Sequence, residues 1–237
     1  MTDGGAPSPS LPAERRRAVL RQGLSVGVAT GAYGISIGAL AVAAGLSLWQ
    51  AMALSLLLFS GGSQFALVGV IAAGGSGAAA ITTSTLLGIR NGLYGLQVSR
   101  ILGAHGLRRL AAAQLTIDES TAVAVGQPEP AAGRLGFWVT GGAVFVLWNL
   151  MTFVGALIGD LLGDPRQYGL DAAAAAAFCA LLWPRLRSRD GRAAAALAAV
   201  LALLVAPAAP AGIPVLVAAV AAVVVGLRPG RPAPATR

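Results

Sequence analysis

The chain has 237 residues, of which 56% are hydrophobic and 11% are charged, and its mean hydropathy is +0.75. This composition lies outside the range of soluble globular proteins and indicates an integral membrane protein. The net charge of +8 comes from arginines clustered at the edges of apolar runs. That pattern is typical of topology anchors, whereas a nucleic-acid-binding surface needs a folded polar face to carry its charge.

Apolar runs bounded by charge, proline or glycine predict an all-α, polytopic helical bundle with about seven transmembrane segments. The predicted spans are approximately residues 22–44, 50–73, 78–99, 135–159, 168–184, 193–208 and 212–227. Prolines interrupt the last two, so we interpret that pair as a hairpin of short helices. Residues 1–21 and 228–237 are predicted to be disordered tails, which leaves residues 22–227 as a single transmembrane transporter domain.

The first two spans lie in a stretch, residues 22–89, that has no charged side chain. Within this stretch stands the polar, glycine-rich segment Phe59-Ser60-Gly61-Gly62-Ser63-Gln64-Phe65. Lipid cannot satisfy backbone groups that leave a helix, so such a break is expected only where protein buries it or where it lines a wet cavity. Secondary transporters place substrate at breaks of this kind. The second segment is therefore predicted to be discontinuous or re-entrant.

The side chains in this break suit a neutral amino acid. In a continuous helix Ser60, Ser63 and Gln64 fall on one face, and their hydroxyl and amide groups can pair with an ammonium and a carboxylate without burying a charge. Gly61 and Gly62 kink the helix or let another helix approach closely. We predict that these five residues bind substrate. The alternative is that they are ordinary contacts between packed membrane helices.

Arg90 lies within the third predicted span, where a charge is costly and normally faces a cavity or a partner. Its guanidinium group can hold a substrate carboxylate bidentately. Tyr94 lies one turn further on the same face, and Asn91 is included with these two residues in the predicted substrate site. Two other interpretations stay open: an arginine that snorkels to the interface, and a structural ion pair with Asp118 or Glu119.

Residues 110–126, between the third and fourth spans, are moderately apolar but contain Gln114, Asp118 and Glu119. As one helix this stretch places Gln114, Asp118 and Thr121 on a single face. We predict a re-entrant or interfacial helix, with a solvated amphipathic connector as the alternative. Asp118 and Glu119 are predicted to gate the pathway or to take a coupling proton. Because adjacent helical residues point apart, only one of them needs to face the cavity.

Two short stretches resemble each other across the chain. Gly38-Ala39-Leu40 in the first span matches Gly155-Ala156-Leu157 in the fourth, three predicted spans later. A repeat with an odd number of crossings inserts in the opposite orientation, so this match predicts a 3+3 inverted repeat. Trp148 and Asn149 lie deep in the fourth span and are predicted to face the protein core.

Different arginine clusters favour opposite orientations of the protein in the membrane. In a seven-span arrangement, more arginines lie on the side away from the N-terminus, which favours an outside N-terminus. The cluster Arg15-Arg16-Arg17 just before the first span favours an inside one. The conflict disappears if the segment broken at Gly61-Gly62 re-enters instead of crossing.

No catalytic or metal-binding pattern accompanies these residues. His105 is the only histidine and Cys179 the only cysteine, and neither has partners at a spacing that predicts a nucleophile with its base or a metal site. We therefore expect no enzyme activity, no metal and no other cofactor. A channel or a non-transporting membrane subunit is the alternative from another functional class.

Several motifs in combination resemble the AzlC family, the large subunit of branched-chain amino acid exporters, over roughly residues 15–227. They are Gly34-Ile35-Ser36-Ile37-Gly38, Ala44-Gly45-Leu46-Ser47 with Gln50-Ala51, the segment from Phe59 to Phe65, Arg90 to Tyr94, Asp118-Glu119, and Tyr168-Gly169-Leu170-Asp171 through Phe178 to Pro184. Two positions depart from the family's usual pattern: Gly88 stands where Asn is common, and Ala32-Tyr33 stand where a Pro is common.

The resemblance implies export of branched-chain and similar neutral amino acids across the bacterial inner membrane by a multi-pass secondary transporter. It also implies a small AzlD-type membrane subunit as partner and no prosthetic group. The sequence lacks a G-x-x-x-x-G-K-[ST] phosphate loop, which agrees with transport that does not use ATP directly. An amino-acid uptake permease is the nearest alternative.

Overall fold

The computed structural model describes residues 11–162, 179, 182–210 and 213–226, and it shows no β-strand among them. The helices are α1 (Ala13–Gly31), α2 (Gly34–Ala43), α3 (Leu48–Leu58), α4 (Gly61–Ala72), α5 (Gly77–Leu102), α6 (Gly106–Gln114), α7 (Asp118–Val125), α8 (Pro130–Leu162), α9 (Arg189–Val205) and α10 (Ile213–Gly226). A short 3-10 helix, Trp183–Arg187, precedes α9. The all-α prediction is confirmed for the described residues. Most of the span predicted at 168–184 lies outside them.

Two helical segments are long and apolar enough to cross a membrane. One is Ala13–Ala43, which combines α1 and α2 over 31 residues, and the other is Pro130–Gly159 in α8, with 30 residues. About 20 helical residues suffice to cross a hydrocarbon core. A tight turn in which the Tyr33 N–H donates to the Thr30 carbonyl at 3.0 Å joins α1 to α2. They therefore form one bent segment.

The first helix begins earlier than the sequence predicts. Residues 13–21 lie in α1, where Val19 is buried. Arg15 forms an ion pair with Glu129 at 3.3 Å and donates to Gln127 Oε1 at 3.0 Å, which ties α1 to the connection before α8. The predicted disordered tail is therefore wrong from residue 13 onward, whereas residues 1–10 lie outside the described part of the chain.

α8 packs against α1 and α2 and runs in the same direction. Gly23 lies against Thr140, and further along the same contact Gly38 lies against Ala156. The stretches 38–40 and 155–157 are therefore parallel neighbours, and the predicted inverted relation between them is wrong. Both stretches need small residues because the helices approach closely at this contact, and that shared need is enough to make them similar.

We expect Gly155→Ala to destabilise the protein. A Cβ on Gly155 would overlap the backbone carbonyl of Ile35, and neither main chain can move away without opening the contact between α2 and α8. Overpacking of this kind should lower Tm by roughly 5–10 °C, measured by thermal unfolding in detergent. Gly142→Ala on the same helix is the control, because no neighbouring atom lies within 4 Å of its Cβ position. Equal effects of the two changes would contradict this packing.

One end of the bundle collects the starts of α1 and α8 and the end of α5. Arg15 pairs with Glu129 just before α8, and Arg134 Nη1 donates to the Ile101 carbonyl at 3.4 Å. The start of α6 follows directly from α5. We call this the basic end, because it holds Arg15, Arg16, Arg17, Arg21, Arg100, Arg108, Arg109 and Arg134. The opposite end carries the α2–α3 and α4–α5 connections, which have no charged residue.

α3 and α4 form a hairpin that starts at the opposite end and turns at mid-height. Ser55 Oγ donates to Thr152 Oγ1 at 3.4 Å, and the Phe59 ring meets Phe145 at 4.9 Å, so α3 runs antiparallel to α8. α4 starts beside Arg90, halfway along α5, and ends just before the start of α5. The predicted break in the second segment is confirmed, and the chain returns after it to the end from which it came.

α6 and α7 form a second hairpin, which starts at the basic end. Its tip reaches Gly141, against which Leu115 packs, and α7 then returns until Ala124 lies against Gly133 near the start of α8. The two hairpins therefore enter the bundle from opposite ends, and their tips meet at mid-height.

One prediction about the second hairpin is wrong. Residues 110–126 do not form a single helix, because α6 ends at Gln114 and α7 begins at Asp118. The single face predicted for Gln114, Asp118 and Thr121 is therefore absent. Gln114 instead donates through Nε2 to the Leu56 carbonyl at 2.8 Å, which joins the two hairpin tips.

Among the described helices, three segments run the full height of the bundle: α1 with α2, α5, and α8. α5 has 26 residues, or about 39 Å at 1.5 Å per residue. Since α5 alone returns the chain from the opposite end to the basic end, α1–α2 and α8 are parallel. Arg15, Arg16 and Arg17 lie at the same end as Arg100, Arg108, Arg109 and Arg134 here, so these clusters do not conflict. α9 and α10 pack against each other, as expected of the predicted hairpin.

Candidate functional site

A cavity of about 180 Å³ lies between the two hairpin tips and the middle of α5. That volume corresponds to roughly six water molecules. The lining residues come from the α1–α2 turn, both tips, α4, α5 and α8, and are Thr30, Tyr33, Phe59, Ser60, Gly61, Gly62, Phe65, Arg90, Asn91, Ile117, Asp118, Glu119, Val144 and Trp148.

The structure brings most of the predicted site residues to this cavity. The predicted residues that line it are Ser60, Gly61, Gly62, Arg90, Asn91, Asp118 and Glu119. Ser63 and Gln64 are buried in α4 and do not line it, and Tyr94 lies further along α5. Ser60 precedes α4, so the side chains of Ser60, Ser63 and Gln64 do not share one helical face, but Ser60 Oγ donates to Ser63 Oγ at 3.2 Å.

The first tip turns at Phe59 and Ser60. Phe59 has φ 26° and ψ 58°, a left-handed conformation that costs a residue with a side chain of order 1–3 kcal/mol. Its ring is 4% exposed and packs against Phe145, which holds the turn in place. Ser60 has an extended backbone and is the N-cap residue that precedes α4. The N–H groups of the first turn of a helix have no intrahelical acceptor, so Gly61 and Gly62 present the positive end of α4 to the cavity.

Arg90 joins α5 to the second tip. Its Nη1 lies 2.9 Å from Asp118 Oδ2, with the two side chains 31% and 27% exposed. Its Nη2 lies against α4, where a Cβ on Gly62 would be 2.9 Å away. Of the three interpretations considered for Arg90, the ion pair with Asp118 is present. Because Arg90 is halfway along α5 and inside the bundle, it does not snorkel to an end.

The second tip presents two carboxylates. Asp118 and Glu119 are the first two residues of α7, where negative charge is favourable, and both line the cavity. Both reach the cavity, although one would be enough for the predicted role, because the cavity covers the end of the helix and not its side. Ser120 holds the turn, since it accepts from the Ile117 N–H at 3.1 Å and donates to the Leu115 carbonyl at 2.6 Å.

Four buried polar atoms around the cavity have no hydrogen-bond partner within the part of the chain that the structure describes. They are Arg90 Nε, Asn91 Oδ1, Asp118 Oδ1 and Trp148 Nε1. Such an atom costs about 1–3 kcal/mol while unpaired. Trp148 lies next to Gly61, with carbons of its six-membered ring 3.2–3.8 Å from a Cβ built there, so the indole packs against the start of α4. Asp118 and Glu119 supply acceptors at the start of α7.

Apolar side chains complete the cavity. Phe59, Phe65, Ile117 and Val144 belong to its lining and are buried or partly buried in the core around it. The site therefore combines donors at the start of α4, acceptors at the start of α7 and an apolar surface. This arrangement can hold a small molecule that has an anionic group, a cationic group and an apolar part.

Some lining residues had no signal in the sequence as substrate contacts. Trp148 is buried with Asn149, as predicted from their depth in the fourth span, but nothing in the sequence places its indole beside Gly61. Thr30, Tyr33 and Val144 sit in apolar runs with no distinguishing pattern. Their position depends on how α1, α2 and α8 pack around the tips.

A protein-family model described as "AzlC protein" matches residues 25–162 of the chain. The matched range includes both hairpins and every residue that lines the cavity, while α9 and α10 lie beyond it. Comparisons with curated proteins and with solved structures give no match.

Proposed function

The chain belongs to the AzlC family, and we propose that it is a secondary transporter that exports branched-chain and similar neutral amino acids across the bacterial inner membrane. The family and the two long apolar segments indicate a membrane protein. The observation that carries the proposal is the cavity between the two hairpin tips, where unpaired donors and acceptors stand beside apolar side chains.

The polar groups of the cavity suit the two charges of an amino acid. We place the substrate carboxylate at the N–H groups of Gly61 and Gly62, with Arg90 alongside. The ammonium group then faces Asp118 and Glu119 at the start of α7. Hydrogen bonds to charged groups are stronger than neutral ones, so these contacts offset the cost of removing both ends of the zwitterion from water. Half-helix N-termini hold substrate carboxylates in the same way in other transporter folds.

The apolar lining favours an aliphatic side chain. Phe59, Phe65, Ile117 and Val144 give the substrate side chain a surface without charge, and each methylene buried there contributes about 0.8 kcal/mol. Leucine, isoleucine and valine therefore bind more tightly than alanine or glycine. A charged side chain would lose its hydration without finding a partner on this surface.

We assign Asp118 and Glu119 to gating or proton coupling, as the sequence analysis predicted. Asp118 pairs with Arg90 in this structure, and Glu119 is adjacent at the same tip. A substrate ammonium competes with Arg90 for Asp118, so loading and release change the contact between α5 and the second hairpin. A proton can replace the ammonium on either carboxylate when the substrate leaves.

The charges at the two ends of the bundle support an orientation. Cytoplasmic loops carry an excess of arginine and lysine, and Arg100 collects at the basic end with the arginines of α1, α6 and α8. We therefore place the N-terminus and the basic end in the cytoplasm. The α3–α4 hairpin then enters from the outside and the α6–α7 hairpin from the cytoplasm. A small AzlD-type subunit completes the proposed exporter.

Counterflow in proteoliposomes tests the function. Liposomes with the purified protein, with and without the small partner, are loaded with unlabelled leucine and mixed with labelled leucine. A carrier accumulates label transiently inside, and unlabelled valine but not lysine competes. A leak that dissipates the gradient without counterflow would indicate a channel, and no flux in either preparation would overturn the transporter proposal. Net accumulation by intact cells would favour an uptake permease.

A further inference from the structure

A second set of buried polar residues lies outside the cavity, with Gln64 on α4 and with Thr83 and Ser84 on α5. Gln64, Thr83 and Ser84 are 1%, 1% and 3% exposed. Their polar side-chain atoms, which include both ends of the Gln64 amide, have no hydrogen-bond partner among residues 11–162 or the other described residues. The substrate site proposed above does not use any of them.

The register of the two helices places this set on the side of the cavity that faces the opposite end. α4 and α5 are antiparallel, with Gly62 against Arg90 and Leu87, and Ser63 Oγ 3.6 Å from a Cβ built on Gly88. Later residues of α4 therefore lie beside earlier residues of α5. A route from the cavity to the opposite end along this contact passes Ser84 and then Thr83 on α5, whereas Gln64, one residue after Ser63, points away from this contact.

Buried polar groups without partners weaken a closed contact. An unpaired donor or acceptor loses its water and gains nothing in return, so apolar side chains would hold α4 against α5 better than Thr83 and Ser84 do. Water that enters between the helices removes the penalty.

We propose that the path between the cavity and the opposite end opens between α4 and α5 and is lined by Thr83 and Ser84. These side chains are closed off from solvent in this structure and become hydrated when α4 moves away from α5. Phe59, with its left-handed backbone between α3 and α4, is the hinge at which the hairpin changes shape. This proposal rests on the proposed transport function.

Cysteine labelling tests the path directly. In a Cys179→Ala background, single cysteines replace Thr83, Ser84 or, as the control, Thr85, which is exposed on the outer surface of the same helix and faces lipid in a membrane. A membrane-impermeant methanethiosulfonate needs a hydrated thiolate. We expect Thr83→Cys and Ser84→Cys to react about tenfold faster than Thr85→Cys in proteoliposomes, with a rate that changes when leucine is added.

The two measurements separate this proposal from the function on which it rests. Counterflow with unreactive cysteines at positions 83 and 84 would overturn the path and leave the transporter intact. Reactive cysteines without counterflow of any neutral amino acid would overturn the proposed function and retain the hydrated path. If Thr83→Cys and Ser84→Cys are labelled no faster than Thr85→Cys, with and without leucine, the proposed path is wrong whatever the counterflow result.

Discussion

Arg90→Ala is expected to lower leucine counterflow about 100-fold or more, which corresponds to about 2.7 kcal/mol of lost stabilisation. The change removes the only cation that the described structure places at the cavity and leaves Asp118 without its partner at 2.9 Å. Removing one member of a largely buried ion pair leaves an uncompensated charge. Counterflow rates in proteoliposomes, with the protein content of each preparation matched, provide the measurement.

Two further variants show which property of Arg90 matters. Arg90→Lys keeps the charge but loses the planar fork, so it should retain part of the activity at best. Arg100→Ala, in the last turn of the same helix and exposed, should transport normally. The double variant Arg90→Ala with Asp118→Ala separates the roles. If it regains the original rate, the pair serves only to balance charge, and the proposed contact between Arg90 and the substrate is wrong.

Gly62→Ala is expected to slow counterflow about tenfold or more while the protein stays folded. A Cβ at this position would lie 2.9 Å from Arg90 Nη2, so the guanidinium group must move away from α4. This displacement strains the pair with Asp118 and crowds the place proposed for the substrate carboxylate. A loss of order 10-fold is typical when a catalytic or binding group is misplaced by a fraction of an ångström or more.

The stability of the same variant supplies its control. Alanine is a better helix former than glycine by up to about 1 kcal/mol, so Gly62→Ala should not lower Tm. Gly69→Ala lies further along α4, where no neighbouring atom is within 4 Å of the Cβ position, and should transport normally. If Gly62→Ala and Gly69→Ala behave alike, Arg90 is free to move and the close approach at Gly62 has no role.

The two hairpins show how much of the candidate site can be predicted from the sequence. The polar, glycine-rich segment at Ser60 to Gln64 predicts a break because lipid cannot satisfy open backbone groups, and the structure has that break. The break between Gln114 and Asp118 is harder to recognise, since the flanking residues fit one amphipathic helix equally well. Helical periodicity reports which residues share a face but gives no sign that the helix turns back.

Composition and hydropathy alone determined that this is an all-α membrane protein. The hydrogen bonds of a helix form within the helix, and its apolar side chains can be read from the local sequence. Composition and hydropathy also singled out Arg90, Asp118 and Glu119, since charges are rare in such runs. Only the tertiary structure decided which segments cross the bundle and which return as hairpins, because the hydropathy of a segment does not report the direction in which its chain runs. The meeting of Arg90, Asp118 and Trp148 at one cavity likewise depends on packing between distant segments, and local sequence does not encode those contacts.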